Sequence, residues 1–467
     1  MGQRDDDKKI LWHTLAFMAF STVWGFGNVI NGFSEYGGLR AIVSWILIFA
    51  IYFVPYALMV GELGSTFKDA GGGVSSWIQE TIGPRMAYYA GWTYWVVHMP
   101  YISQKPNSTV IAASWALFQD KRASSMDTTV MQLICLVIFL FAMYLSSKGM
   151  GVLKRLSALA GSTMFIMSML FIAMMVAAPA LTGGTFMTIQ WSLKTFIPTF
   201  DASFFMELSI LVFAVGGCEK ISPYVNKMKD PSRDFSKGMA ALALMVAVTA
   251  ILGTVALGMM FDSSHIPPDL MTNGAYYAFQ RLGEYYHMGN FFVIVYALTN
   301  LIGQFSVMVL SVDAPLRMLL DSADTRFIPR KMFEKNEHGT YVNGHRLVML
   351  IVCVLIIVPA FGIRNVDVLV RWLVKVNSVC MPLRYLWVFV AYIALKKAGD
   401  AYHAQYRFLK GRTAGVLVGV WCFGFTAFAC ITGIYSDDLF QLVLNIVTPF
   451  VLVGLGFILP WLAAREN

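Results

Sequence analysis

The sequence predicts an all-α integral membrane protein of about twelve spanning helices, two of them broken halfway. Three observations carry that expectation. The 467 residues are 57% apolar and only 13% charged, with a mean hydropathy of +0.63, where a soluble domain carries roughly 25% charged residues. Apolar runs of the roughly 20 residues needed to cross a bilayer recur along the whole chain. Two of those runs, five spans apart, are interrupted by glycine and asparagine, which are poor helix formers. Continuous runs, rather than the alternation of barrel strands, favour helices.

Taken in order, the spans are expected at 11–36, 39–63, 86–118, 128–146, 155–178, 203–226, 237–261, 290–312, 346–362, 369–395, 414–435 and 439–463. The polar segment 1–10 reads as a cytoplasmic N-terminus. The first span is too long for the apolar core of a cleaved signal, and Asp6 stands where a myristoylation motif wants Ser or Thr. Loops after even-numbered spans carry most of the Lys and Arg, among them Lys68, Arg85, Lys148, Lys154, Lys227, Lys229, Arg233, Arg326, Lys331, Lys396, Arg407 and Arg412. Loops after odd-numbered spans carry Lys121, Arg122, Lys194 and Arg364. That asymmetry predicts both termini and the even loops in the cytoplasm of a cell-membrane protein. The net charge of +8 then reflects topology rather than nucleic-acid binding. In the loop after span 2, Val74, Trp77 and Ile78 have amphipathic spacing and predict a short cytoplasmic helix against the bundle. The longest loop, 321–345, is too short to hold its own core. The six cysteines form no C-x-x-C pair, so neither a disulfide framework nor a zinc site is expected.

The first interruption is Trp24-Gly25-Phe26-Gly27-Asn28-Val29. Alone, these glycines fit close helix packing as well as a break. The second, Val215-Gly216-Gly217-Cys218 in span 6, tips the balance. Interrupted spans at corresponding places in two halves point to a mid-membrane site between repeats. Repeats over 11–180 and 200–397 hold an odd number of spans each, so the second is inverted; 413–463 holds two further spans. The outer half of span 1, from near Asn28, would offer free N–H groups to a carboxylate, and the outer half of span 6, ending near Ala214, free C=O groups to an ammonium. Together they would receive the two ends of an amino acid.

Further motifs are Gly61-Glu62-Leu63 with Gly71-Gly72-Gly73, Gly83-Pro84-Arg85, Ser147-Lys148-Gly149 and, most specific, Gly217-Cys218-Glu219 followed by Asn226-Lys227-Met228-Lys229-Asp230-Pro231-Ser232-Arg233-Asp234-Phe235. Over nearly its whole length the chain resembles the amino acid–polyamine–organocation superfamily, most of all its glutamate/GABA antiporter-like branch of bacterial permeases. It departs from that family in Gly25-Phe26-Gly27-Asn28, where bulky Phe26 stands in the helix-1 signature. The resemblance implies a leucine-transporter-like fold, five helices plus five inverted with two added, and exchange or proton-coupled uptake of amino acids or amines. It also implies a gating or proton-linked role for Glu219, and one wall of the site on span 8, where Asn300 and Gln304 lie one turn apart.

Charges inside the membrane are costly and usually functional. Lys105 lies mid-span 3, near His98, Tyr101 and Gln104; Arg384 lies mid-span 10, with Arg371 and Lys375 nearer its end. Glu35 and Glu207 lie in the outer parts of spans 1 and 6. The basic set suits an acidic substrate and the acidic set a cationic one. Alternatively Glu35 or Glu207 pairs with Lys105, Arg371 or Lys375 as a structural or gating ion pair. His98 reads as a satisfied interior hydrogen bonder, and Trp24, Phe26 and Tyr101 as aromatic covers for a ligand. The resemblance implies that coupling depends on span 5, where 157–175 holds no charged residue, only Ser162, Thr163, Ser168 and similar groups; that favours antiport over proton symport and leaves sodium coupling open.

A membrane enzyme would need clustered acid–base or ligand residues, and the seven histidines are scattered. No channel filter stands out. The expected function is therefore secondary transport of amino acids, an amino acid/amine or amino acid/amino acid antiport by alternating access, with proton-coupled amino acid or polyamine symport as the alternative. The expected partners are the small-molecule substrate and membrane lipid, with a homodimer admissible. No nucleic acid, cofactor or metal is expected.

Overall fold

The computed structural model describes residues 11–70, 73–148, 150–184, 186–320, 323–402 and 404–466. The expected N-terminal segment 1–10, Gly71, Gly72, Gly149 and His403 lie outside the described residues, as do the side chains of Lys154, Ser162, Asn226 and Lys227. Ten helices among the described residues are long and apolar enough to cross a membrane. Spans 1 and 3 are missing from that set for physical reasons. Span 1 is split into Trp12–Val23 and Phe26–Glu35. Span 3, Pro84–Val96 continued by His98–Phe118, carries polar His98, Gln104, Lys105 and Asn107 in its middle. The chain is thus an all-α membrane protein whose first and sixth spans are discontinuous.

Span 2 runs unbroken to Thr66 through Ala41–Ile48, a π-turn at Phe49–Phe53 and Val54–Thr66. The amphipathic helix after it spans Val74–Thr81, with Trp77 and Ile78 fully buried against the bundle. Span 4 is Thr128–Ser146, started by Asp127, whose carboxylate accepts from the Thr129 and Val130 amides. Span 5 is Met150–Thr182, and span 6 is Leu208–Val215 followed by the 3-10 helix Cys218–Lys227. Span 7, Pro231–Gly258, starts at another aspartate cap, Asp230. Spans 8 to 12 are Phe291–Leu320, Val342–Ile357, Val366–Cys380 with Leu383–Ala398, Arg412–Thr432, and Leu439–Gly454. Spans 5 and 8 are longer than expected because helix continues through polar flanks that hydropathy reads as loop.

The longest element with no counterpart in the sequence reading is the helix Leu270–Tyr285 between spans 7 and 8. Its two glycines and several polar residues mask a buried stripe that includes Leu270, Tyr276, Phe279 and Leu282. Polar contacts pin it. Trp115 of span 3 donates to Asn273 Oδ1 at 2.9 Å, and Asn300 of span 8 donates to the Tyr276 hydroxyl at 2.8 Å.

Spans 1, 2, 6 and 7 pack on one another, and spans 3, 4, 8 and 9 form a second group. Within the first group, Gly64 of span 2 lies where any Cβ would strike the Phe235 ring of span 7. Overpacking such a contact costs about 1–3 kcal/mol. Gly64→Val is therefore expected to lower the melting temperature in detergent by several degrees. Gly424→Ala, at a position with open space beside it, should leave it unchanged.

Candidate substrate site

Span 1 breaks because Trp24 (φ −124°, ψ 144°) and Gly25 (φ −151°, ψ 161°) are extended. Helix resumes at Phe26, two residues before the position expected near Asn28. The amides of Phe26 and Gly27 have no carbonyl one turn earlier to donate to, whereas the Asn28 amide turns back to the Gly25 carbonyl at 2.9 Å. In span 6 Gly216 is extended and Gly217 has φ +108°, a conformation that glycine alone adopts readily. A Cβ on Gly216 would collide with the Tyr385 ring. Both residues are therefore required by shape.

Asn28 joins the two breaks. Its carboxamide donates to the Val23 carbonyl at 3.3 Å and to the Ala214 carbonyl at 3.2 Å. This corrects the expected use of Ala214: the carbonyl assigned to a ligand ammonium already accepts from Asn28.

Between the breaks lies a cavity of about 210 Å³, smaller than the roughly 300–1,000 Å³ of drug-sized sites and so suited to a small solute. Of the expected residues, Trp24, Gly25, Gly27, Asn28, Tyr101, Lys105, Gly216, Asn300, Gln304 and Arg384 line it. Phe26, Val29, Val215, Gly217 and Cys218 do not. The Phe26 ring points into an aromatic cluster, with centroids 4.8 Å from Phe171 and 5.5 Å from Phe279, so it packs span 1 rather than covering a ligand. Val29 packs against Gly253 of span 7. The cavity reaches Thr272 and Tyr276 of the helix Leu270–Tyr285 and Val370 and Val374 of span 10. It therefore extends from the breaks toward the face of the odd-numbered loops.

Sequence reasoning missed Lys220, which lines the cavity just past the second break. The signal was present, a cation directly after Glu219 within a span, but the motif drew attention to the glutamate alone.

Three cations border the cavity among the described residues. Arg384 is buried and compensated: its Nε lies 3.3 Å from Glu219 Oε1. Glu219, fully buried and outside the lining, also accepts from the Tyr56 hydroxyl. Arg384 Nη1 donates to His98 Nε2 at 2.6 Å, leaving His98 Nδ1–H to donate to the Tyr94 carbonyl at 2.6 Å. The histidine is thus a satisfied interior bonder. Lys105 heads a neutral chain across spans 3 and 8: Lys105 Nζ donates to Gln304 Oε1 at 3.0 Å, and Gln304 Nε2 to Asn300 Oδ1 at 3.0 Å. Lys105 Nζ lies 4.3 Å and Lys220 Nζ 5.3 Å from the centroid of the same ring, Tyr101. Among the described residues neither lysine has a carboxylate in ion-pair range.

The remaining expected charges stand apart from the cavity. Glu207 pairs with Lys375 at 2.7 Å, and Arg371 donates to the Pro268 carbonyl at 3.2 Å. Glu35 lies in the field of Glu207, Arg371 and Lys375. At the opposite, basic face Glu62 accepts from Lys396 at 2.5 Å, Tyr392 at 3.2 Å and the Phe408 amide at 2.9 Å, tying span 2 to span 10.

Paired broken helices around a small polar cavity, in a bundle of two packed groups, define a secondary transporter. The chain belongs to the amino acid permease family, whose model matches residues 10–464, and so has that family's leucine-transporter-like inverted repeat. It is 48% identical to the aspartate/glutamate permease AcaP of Lactococcus lactis subsp. cremoris, over 99% of this chain and 97% of AcaP. It is 24% identical to the probable agmatine/putrescine antiporter AguD of Lactococcus lactis subsp. lactis, over 76% of this chain and 72% of AguD. To the glutamate/gamma-aminobutyrate antiporter of the same organism it is 22% identical, over 74% of this chain and 68% of that protein.

Two outcomes are expected. A Cβ at Gly27 meets open space, so Gly27→Leu should fold normally, fill the cavity and weaken substrate binding at least a hundredfold in equilibrium binding assays. Gly217→Leu makes no such clean test, because its φ of +108° strains any side chain. Glu219→Gln leaves Arg384 an uncompensated buried charge, which costs about 3–5 kcal/mol. Its melting temperature should fall sharply, and the double variant Glu219→Gln/Arg384→Met should recover much of the loss.

Proposed function

We propose that this permease exchanges acidic amino acids, aspartate and glutamate first among them, by alternating access. One observation carries the reading: Lys105 and Lys220 face the cavity with no carboxylate partner among the described residues, while Glu207 and Glu219 are already held by Lys375 and Arg384. An anionic ligand supplies the charge that is missing; a diamine would add to the excess. The 48% identity to a protein named aspartate/glutamate permease supports the same class. Exchange is supported by the two antiporter relatives and by the uncharged stretch 157–175 of span 5.

In this reading the amide of Gly27 meets the α-carboxylate, aided by the positive end of the half-helix. Main chain at Gly216 meets the ammonium. Tyr101, Asn300 and Gln304 shape the pocket beside Trp24, Gly25 and Asn28. Glu35, Glu207, Arg371 and Lys375 form a gate at the face of the odd-numbered loops, and Glu219 with Arg384 holds the floor. The repeats are 11–180 and 200–397, followed by the pair in 413–463. The basic face and both termini lie in the cytoplasm, lipid surrounds the spans, and a homodimer is compatible with the apolar outer surface.

Counterflow in liposomes preloaded with labelled aspartate tests this. External aspartate and glutamate should accelerate release strongly. Neutral and basic amino acids and decarboxylated amines should do so at least tenfold less. Acceleration by amines or neutral amino acids alone would refute the acidic reading.

A further inference from the structure

Lys105 and Lys220 belong to different moving bodies. Lys105 sits on span 3, in the group formed with spans 4, 8 and 9; Lys220 sits past the break of span 6, in the group formed with spans 1, 2 and 7. Alternating access requires those groups to move against each other. Yet both ammonium groups stand over one ring, Tyr101, at 4.3 Å and 5.3 Å from its centroid. They are therefore at most about 10 Å apart, a range over which like charges in a poorly solvated cavity repel. Both side chains are half-buried, and both line the cavity.

Their settings differ. Lys105 is fixed: its ammonium donates to Gln304, which is itself held by Asn300, and Asn300 by Tyr276. Among the described residues Lys220 makes no hydrogen bond of this kind; its neighbours are the Tyr101 ring and the compensated Glu219–Arg384 pair. One lysine is anchored to the second group by a three-link chain, and the other is a cation on the first group waiting for a counter-charge. Arg384 cannot substitute for either, because its charge is matched by Glu219.

We propose that Lys105 and Lys220 form a split clamp in which the two carboxylates of one acidic amino acid bridge the two helix groups. With the ammonium groups at the full separation of about 10 Å, oxygens set between them in charge-assisted contacts of about 2.8 Å stand about 4 Å apart, a separation that bent aspartate or glutamate spans. A monocarboxylate neutralises one lysine and leaves the other repelled. A dicarboxylate neutralises both and ties the groups together, so the ligand's second carboxylate is read by closure and not by one pocket wall. The proposal rests on the acidic-substrate reading and assigns Lys105 and Lys220 as its specificity-determining pair.

The test uses the full-length protein in liposomes, with aspartate and its uncharged isostere asparagine as probes. Wild type should prefer aspartate by at least tenfold in half-saturating concentration. Lys105→Gln and Lys220→Gln should each weaken aspartate roughly tenfold to a hundredfold, the effect of losing one charged hydrogen bond; loss of the lysine that meets the side-chain carboxylate should leave asparagine within threefold, and loss of the one that meets the α-carboxylate should weaken asparagine alike. The aspartate/asparagine ratio should thus collapse in one single variant and persist in the other, a split that general damage to the fold would not produce. Lys105→Arg and Lys220→Arg, which keep the charge, should retain most of the preference. The clamp is overturned if both Gln variants keep the wild-type ratio, if either leaves aspartate unweakened, or if the Arg variants lose the ratio as fully as the Gln variants. Failure of wild type to exchange aspartate at all would instead sink the acidic-substrate reading, whereas a wild type that exchanges aspartate alongside indifferent Gln variants sinks the clamp alone.

Discussion

Main-chain amides and carbonyls freed in the middle of a membrane span have no lipid partner, and the molecule is arranged around that constraint. Each break exposes a few such groups, and each must be covered by protein or face a wet cavity. Asn28 covers two carbonyls at once, Val23 of its own span and Ala214 of span 6. One side chain therefore lets both helices stop at the same depth and sets how far apart the two ends stand. Of the amides left uncovered, that of Gly27 belongs to a residue that lines the cavity. The broken spans are a consequence of local shape: Gly217 needs its positive φ and Gly216 needs room for Tyr385.

Charge is handled with the same economy. Three carboxylates described around the cavity and its two ends are held by a cation: Glu62 by Lys396, Glu207 by Lys375, Glu219 by Arg384. Buried charges left unmatched are costly, so two unmatched lysines in one cavity are informative in a way that their number alone is not. The contrast between Arg384, which points at the cavity but is neutralised, and Lys220, which is not, shows why counting cations along the sequence cannot give a substrate class.

Much of the architecture was legible in the sequence. Span positions, the amphipathic helix Val74–Thr81 and both interruptions follow from local composition, and local composition dictated them. The short helix Leu270–Tyr285 was not legible, because Gly274, Gly283 and its polar residues dilute a stripe that only tertiary packing reveals. The site was half legible. Residues chosen for being at a break, such as Gly27, Asn28 and Gly216, do line the cavity. Phe26 and Val29 share that stretch but point the other way, since neighbours on a helix face about 100° apart. The pairing of Glu207 with Lys375 was among the arrangements the sequence allowed, and nothing short of three-dimensional distance selects it. Lys220 went unremarked because a cation near a span's end reads first as topology.

The shared position of two ammonium groups above Tyr101 has a consequence for the resting carrier. A positive hollow bordered by apolar walls draws in whatever mobile anions the bathing solution holds. Chloride or bicarbonate would occupy it whenever cargo is absent, and cargo would enter by displacing them. Loading is then ion replacement rather than filling of a void. The apparent strength with which such a carrier takes up its cargo would then depend on the salt around it as well as on its own side chains.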